Sequence, residues 1–260
     1  MIRLVHLLKR RLGSSGEEFD RLWRDRMGPE FAAQQVHLDM VRHIQTCRTA
    51  STTAIEAAAQ ADRGTMLPPA DGVAESWWSS EGALQAVLAS ADGRRRLAQL
   101  ADALADIVDP ASSPLWLAHE YPQVSTSPQR IVAGARTGVA KVHFSLRPLA
   151  HLGDAEAQTY WLTRHGPLVR SHAPARGTLA YCQVHRTPSA LTAELAAIFG
   201  SPAGEFIGHA EAWFDQSAPP IGPEAHAAKA AAVEDERNFI DWTRSNFLAG
   251  KERVYVDRDW

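Results

Sequence analysis

The constraint that bears hardest on this chain is an internal duplication. Trp23-Arg-Asp-Arg26-Met-Gly28-Pro29 and Trp161-Leu-Thr-Arg164-His-Gly166-Pro167 share four of seven residues at a separation of 138. At that same separation Gln45-Thr-Cys-Arg48-Thr49 matches Gln183-Val-His-Arg186-Thr187, so residues 23–49 align without a gap on 161–187, with 7 of 27 positions identical. Ala74-Glu75-Ser-Trp77 then matches Ala210-Glu211-Ala-Trp213 at 136, a shift that a loop absorbs. A chain of 260 residues is long for one module, and a duplication divides it into two of roughly 130 residues. The expected units are residues 1–123 and 139–260, joined by a linker at 124–138 that is rich in Ser, Gly and Pro.

Each copy reads as strand, helix, strand, strand, helix, strand. In the first copy β-rich runs fall at 3–10, 42–49, 72–78 and 115–121, and Ser14-Ser15-Gly-Glu17-Glu18 signals a helix start before Phe19, Leu22 and Trp23. Gly28-Pro29 is expected to interrupt that helix, and residues 84–108 to form one long amphipathic helix. The second copy repeats the order with strands at 139–147, 178–186, 206–214 and 253–256, and helices at 154–164 and about 227–248. Residues 54–61 and 190–199 read as small helical insertions. A β-α-β-β-α-β unit is the ferredoxin-like motif, which leaves one face of its sheet bare. The predicted fold is therefore α+β, with two tandem ferredoxin-like units closing face to face into one pseudo-symmetric α+β barrel.

Strand alternation predicts which side chains face the cavity. In copy two the expected inner wall is Lys141, His143 and Ser145, then Tyr181, Gln183 and His185, then His209, Glu211 and Trp213. Copy one supplies His6, His43, Gln45, Cys47, Glu75 and Trp77 by the same rule. Cys47 and Cys182 fall on opposite faces of equivalent strands, so no disulfide between them is expected.

Composition removes several classes of function. With 27 basic and 30 acidic residues, a net charge of −3 allows no dominant phosphate-binding surface, so nucleic acid is not an expected partner. Two cysteines suit a reducing compartment, and no signal peptide or membrane-length apolar run appears, so a cytoplasmic protein without a membrane partner is expected. No phosphate loop, nucleophile elbow or dinucleotide fingerprint is present. Arg94-Arg95-Arg96 and Glu234-Asp235-Glu236 read as solvated helix faces.

The second copy, with Trp161-Leu-Thr-Arg-His-Gly-Pro167, Tyr181-Cys-Gln-Val-His185 and Ala210-Glu-Ala-Trp-Phe214, resembles the EthD domain of the dimeric α+β barrel superfamily. The first copy departs from the pattern: Met27 replaces the His, His43 the Tyr and Trp78 the Phe. The resemblance implies the barrel fold. Among activities it implies dehydratase- or decarboxylase-like chemistry on aromatic polyketides, or an accessory role beside an ether-degrading oxygenase.

Read as chemistry, His143, His185 and His209 beside Glu211 and Tyr181 supply imidazoles that titrate near neutrality, a carboxylate to hold a tautomer and a phenol to donate to an oxyanion. His143, Tyr181, His185 and Glu211 are the expected catalytic residues, and Gln183, His209, Trp213, His165 and Arg164 the expected substrate contacts. For His165 a purely structural role at a helix end is the competing reading, since Met27 serves the same turn in copy one. The imidazoles with Glu211 would also suit a divalent metal, but no ligand spacing supports one, and neither metal nor cofactor is expected. The leading functional expectation is a cofactor-independent acid–base enzyme, a lyase or isomerase, acting on a small apolar, oxygenated or aromatic molecule. An accessory binding protein and a cofactor-free oxygenase stay open, as does a homodimer of the two-unit chain.

Overall fold

Residues 1–258 are described by a computed structural model, in which eight antiparallel strands form one closed barrel with helices outside it. The first half runs β1 (Ile2–Leu8), α1 (Gly16–Leu22), α2 (Gly28–Ala33), β2 (Arg42–Arg48), α3 (Thr53–Arg63), β3 (Gly72–Trp78), α4 (Glu81–Ala89), α5 (Ala91–Ala105) and β4 (Leu115–Ser125). The second runs β5 (Val139–Leu146), α6 (Asp154–Tyr160), α7 (Gly166–His172), β6 (Thr178–Arg186), α8 (Ala190–Phe199), β7 (Gly208–Asp215), α9 (Pro223–Glu236) and β8 (Asn246–Asp257). Around the barrel the order is β1-β3-β2-β8-β5-β7-β6-β4, so β4-β1-β3-β2 in one half is answered by β8-β5-β7-β6 in the other. The seams β2–β8 and β4–β6 close the ring and leave no open edge among these strands. No described helix is long and apolar enough to cross a membrane.

The repeated motif builds the same local device twice. Trp23–Met27 and Trp161–His165 are π-helical turns, in which the Gly28 and Gly166 amides bond back to the Trp23 and Trp161 carbonyls. Each of those carbonyls also accepts a side-chain amide from the repeated glutamine, Gln45 at 3.0 Å and Gln183 at 2.8 Å. Gly-Pro therefore does not interrupt the helix as expected. The wide turn lets Pro29 and Pro167 sit in the first turn of α2 and α7, where a missing N–H does no harm. Both copies also turn into the next strand through a left-handed residue at the same repeat position, Asp39 (φ 46°) and Gly177 (φ 59°).

Two helix expectations are corrected. The segment 84–108 is two helices, because Ser90 leaves the helical region and its hydroxyl caps α5 by accepting from the Gly93 amide. The helix expected to reach 248 stops at Glu236. From Asn246 the side chains alternate, with Phe247 and Ala249 in the outer core and Leu248 inside the barrel, so β8 is far longer than the expected 253–256.

The two insertions are exchanged between the halves. From the first half, α3 packs on β8 and adds Ile55 and Ala59 to the core of the second. From the second half, α8 packs on α5 and β4 and adds Leu195 and Phe199 to the core of the first. Each outer sheet face is thus partly roofed by the other half. Covering a fully exposed Leu or Phe in this way contributes roughly 1.5–3 kcal/mol per side chain.

Candidate active site

Inside the barrel, one end is apolar and the other ionic. Val5, Leu7, Val73, Trp116, Val184 and Leu248 fill the first. At the second, the repeat-equivalent cations Arg3 and Lys141 bridge the repeat-equivalent carboxylates Glu75 and Glu211. Lys141 Nζ lies 2.6 Å from Glu211, 3.0 Å from Glu75 and 3.3 Å from Glu252. The indoles complete the symmetry, with Trp77 Nε1 donating to Glu120 at 2.6 Å and Trp213 Nε1 to Glu252 at 2.8 Å. All of these but Glu120 are buried. Burial opposes the Glu211 charge, yet Arg3 and Lys141 outweigh it and hold this carboxyl well below the ordinary range. Burial instead pushes the Glu75 carboxyl up, which the same two cations only partly offset.

Next to this cluster, His143 and His209 stack with centroids 3.8 Å apart and planes 16° from parallel. Burial lowers both imidazoles, His209 to about 3, so both are neutral. Donor atoms of Glu75, His143 and His209 lie within 4.8 Å of one another, the one ligand-type cluster among the described residues. Stacked rings send their lone pairs along parallel planes instead of toward one point, and Glu75 is engaged by Arg3 and Lys141, so the arrangement is not that of converging metal ligands.

The parity expected for three strands is reversed. On β6, Cys182 and Val184 belong to the inner core, whereas Tyr181, Gln183 and His185 lie under the helices. Tyr181 Oη accepts from Trp161 Nε1 at 3.1 Å, and the His185 ring stacks on the Trp161 ring at 4.5 Å. On β2, Cys47 joins the outer core, Gln45 reaches the Trp23 carbonyl, and His43 stacks on Phe31 at 4.3 Å. On β1, His6 packs on Phe199, while Arg3, Val5 and Leu7 point inward. The interior is already filled by long charged side chains from β1, β5 and β7, so the strands facing them contribute small or apolar groups. Polar residues on β2 and β6 find their partners at the π-turns. Both thiols are free and lie on opposite faces.

That reversal exposes a different site. Between the outer face of the second half's sheet and its helices lies a cavity of about 190 Å³, walled by Val142, Phe144, Ala210, Ala212 and Phe214. All three repeated motifs of copy two reach it, through Trp161 and His165, through Tyr181, and through β7. Helix α3 of the first half closes one side with Ile55, Ala59 and Arg63. His165 Nδ1 lies 2.8 Å from Asp235, which also accepts the Tyr160 hydroxyl at 2.8 Å. The His165 bond holds the Asp235 carboxyl below its ordinary range, so a carboxylate fixes Nδ1 and leaves Nε2 as the free ring nitrogen. Burial pushes the Tyr181 phenol up, so it stays protonated. Its oxygen takes N–H bonds from Trp161 and, at 3.3 Å, from Gln183, which leaves the O–H to donate elsewhere.

The expected site residues therefore divide into two places. His143, His209, Glu211 and Trp213 share the barrel interior, where Glu211 answers to Arg3 and Lys141 and stands 3.5 Å from His209. His165 and Tyr181 meet at the helix-side cavity, with Gln183 and His185 supporting Tyr181 and Trp161 from beside it. Burial lowers His185 to about 4, a poor base. Arg164 is exposed and lines no part of that cavity, which removes it as a contact there. Asp235 and Glu236, expected on a solvated face, instead hold His165 and Arg63.

Residues 150–243 match the EthD domain family, a stretch of the second half that includes all three motifs quoted above. No curated protein matches the chain. Among solved structures, "Putative Chlorite dismutase TA0507" is similar over 98% of this chain and 95% of that one, at 11% identity and a TM-score of 0.47. A likeness of that size bears on neither reaction nor cofactor.

Proposed function

We propose that the chain is an acid–base enzyme of the lyase or isomerase type, acting on a small apolar, oxygenated or aromatic molecule in the helix-side cavity of its second half. The observation that carries this reading is the His165–Asp235 pair bordering an apolar cavity that Tyr181 also lines. His165 Nε2 would take a proton from a carbon next to a carbonyl, or from the carbon whose neighbour loses a hydroxyl. Asp235 would stabilise the imidazolium that forms, and the Tyr181 O–H would donate to the developing oxyanion. The same base then returns the proton elsewhere for isomerisation, or hands it to the departing hydroxyl, which leaves as water in an elimination. The first half offers no counterpart, because Met27 and His43 stand where His165 and Tyr181 do, and the outer core packs Met27, Trp23 and Phe31 together. We read each half as a ferredoxin-like unit, residues 1–123 and 139–260 joined by 124–138. The strand order β4-β1-β3-β2, repeated as β8-β5-β7-β6, supports this.

Proton exchange tests the chemistry without a known substrate. In deuterium oxide, small aryl ketones and oxo acids should lose their α-proton NMR signals faster with the protein than without it. His165→Asn should lower that rate by ~10²–10⁴, and Tyr181→Phe by ~10²–10³. Exchange that ignores His165 removes the base from the mechanism. Ligand binding with no exchange at all favours an accessory binding protein.

A further inference from the structure

We infer that this cavity takes a monoanionic acid, with an anionic oxygen pair of the ligand seated on the Arg176 guanidinium and the Thr178 hydroxyl; the inference rests on the acid–base reading above only for the fate of the ligand, not for its binding. The first observation is the balance of charge around the cavity. Three cationic side chains line it, and two are answered: Arg63 makes a two-pronged pair with Glu236 at 2.7 and 2.6 Å, and Lys229 lies 2.7 Å from Asp62. Arg176 makes no hydrogen bond or ion pair with a carboxylate or carbonyl among the described residues; Glu236 and Asp62 act on it only through space, and the Phe214 ring lies 5.9 Å away. Glu236, the nearest favourable charge, is already bonded by Arg63 and the Trp242 indole, so its pull on Arg176 is shared. A largely buried guanidinium without an anion is costly, and a ligand carrying one negative charge completes the set.

The second observation is independent of charge. Thr178 follows two residues on, across the left-handed Gly177, and lines the same cavity. It is buried, and its Oγ1 has no partner. Buried hydroxyls are nearly always bonded, so an orphan at a cavity wall marks a place for a ligand acceptor. The repeat supplies a control from within the molecule. At the separation of 138, Arg176 corresponds to Leu38 and Thr178 to Met40, both packed in the core of the first half, where there is no such cavity to serve. With walls of Phe144, Phe214, Val142 and alanines, the ligand class is a small aromatic or alicyclic carboxylic acid.

Benzoate and benzamide are probes of equal shape that differ in charge. By titration calorimetry at pH 7 the intact protein should bind benzoate at least tenfold more tightly than benzamide. Arg176→Met should abolish that preference, Arg176→Lys should keep part of it, and Thr178→Val should weaken benzoate about threefold to tenfold while sparing benzamide. Equal affinity for the two probes, no dependence on Arg176, or no binding of either would overturn the assignment. A preserved preference with no proton exchange in the intact protein sinks the acid–base reading alone, and exchange without the preference sinks the anion seat alone.

Discussion

Five buried imidazoles make this protein sensitive to mild acid, and the size of the effect follows from where they sit. His6, His43, His143, His185 and His209 are all buried. Burial drives His43 and His209 down to about 3, His6 and His185 to about 4, and His143 well below its ordinary value. In the unfolded chain each titrates near ~6.5. A group with a depressed folded pKa adds stability that is present above its unfolded pKa and is lost as pH falls toward the folded one. Each such histidine therefore takes away ~1.4 kcal/mol per pH unit below about 6.5, and five together about 7 kcal/mol by pH 5.5 and about 10 kcal/mol by pH 5. Glu75, raised by burial, works in the opposite direction, one group against five. A domain typically has about 5–15 kcal/mol in total, so unfolding is expected between roughly pH 5 and 6. Urea unfolding followed by tryptophan fluorescence and circular dichroism, from pH 7.5 down to 5.5, reads the slope directly. His43→Asn should flatten that slope by about one proton. Stability that stays level over this range would mean the imidazoles are hydrated or unburied, and the reasoning about the interior would fail with it.

Two further outcomes follow from packing. Lys141→Met takes one of their two buried cations from Glu75 and Glu211 and removes the Lys141 contact of Glu252, and should cost about 3–5 kcal/mol and roughly 10 °C in Tm. Adding Glu211→Gln should recover part of the loss, and strict additivity in calorimetry would argue against a coupled cluster. Gly208→Ala puts a Cβ onto the Val184 carbonyl from a backbone at φ 143°, and should cost roughly 2–3 kcal/mol in the same urea assay.

The fold was legible because the duplicated residues are those that build it. Trp23 and Trp161 start the π-turns, Gln45 and Gln183 close them, and Trp77 and Trp213 bond the carboxylates that terminate the ionic cluster. The site was less legible, because alternation says that neighbours point opposite ways without saying which way is in. Polarity does not break that tie on β2 and β6: amphipathic Tyr181, Gln183 and His185 have their hydrogen-bond partners under a helix, while Cys182 and Val184 face the barrel. The exchange of α3 and α8 between halves had no local signal, since a short alanine-rich helix does not declare which sheet it will cover. Arg176 and Thr178 did leave a signal, namely polar residues in one copy at positions that are Leu38 and Met40 in the other.

That last contrast separates architecture from candidate chemistry. Positions that are polar in both copies, such as Gln45 and Gln183, Glu75 and Glu211, or Arg3 and Lys141, satisfy one another or the backbone, so their polarity is explained without a ligand. Positions polar only in the second copy, His165, Arg176 and Thr178, line one cavity together with Tyr181, whose repeat counterpart is His43; there, among the described residues, Arg176 makes no ion pair and the Thr178 hydroxyl no hydrogen bond. In the first half, Met27, Leu38 and Met40 pack into a continuous apolar core at those repeat positions. A large apolar side chain there fills space and needs no partner, which is the stable solution when nothing has to bind. Keeping a base, a phenol, a guanidinium and a hydroxyl around an open space gives up that packing. The reverse replacement should therefore be stabilising: Arg176→Leu with Thr178→Met, the residues of the first copy, should raise Tm by filling the cavity and removing a buried unpaired charge. The same change should abolish benzoate binding. A double variant that loses stability would show that Arg176 and Thr178 support the fold, and the division drawn here between the two copies would not hold.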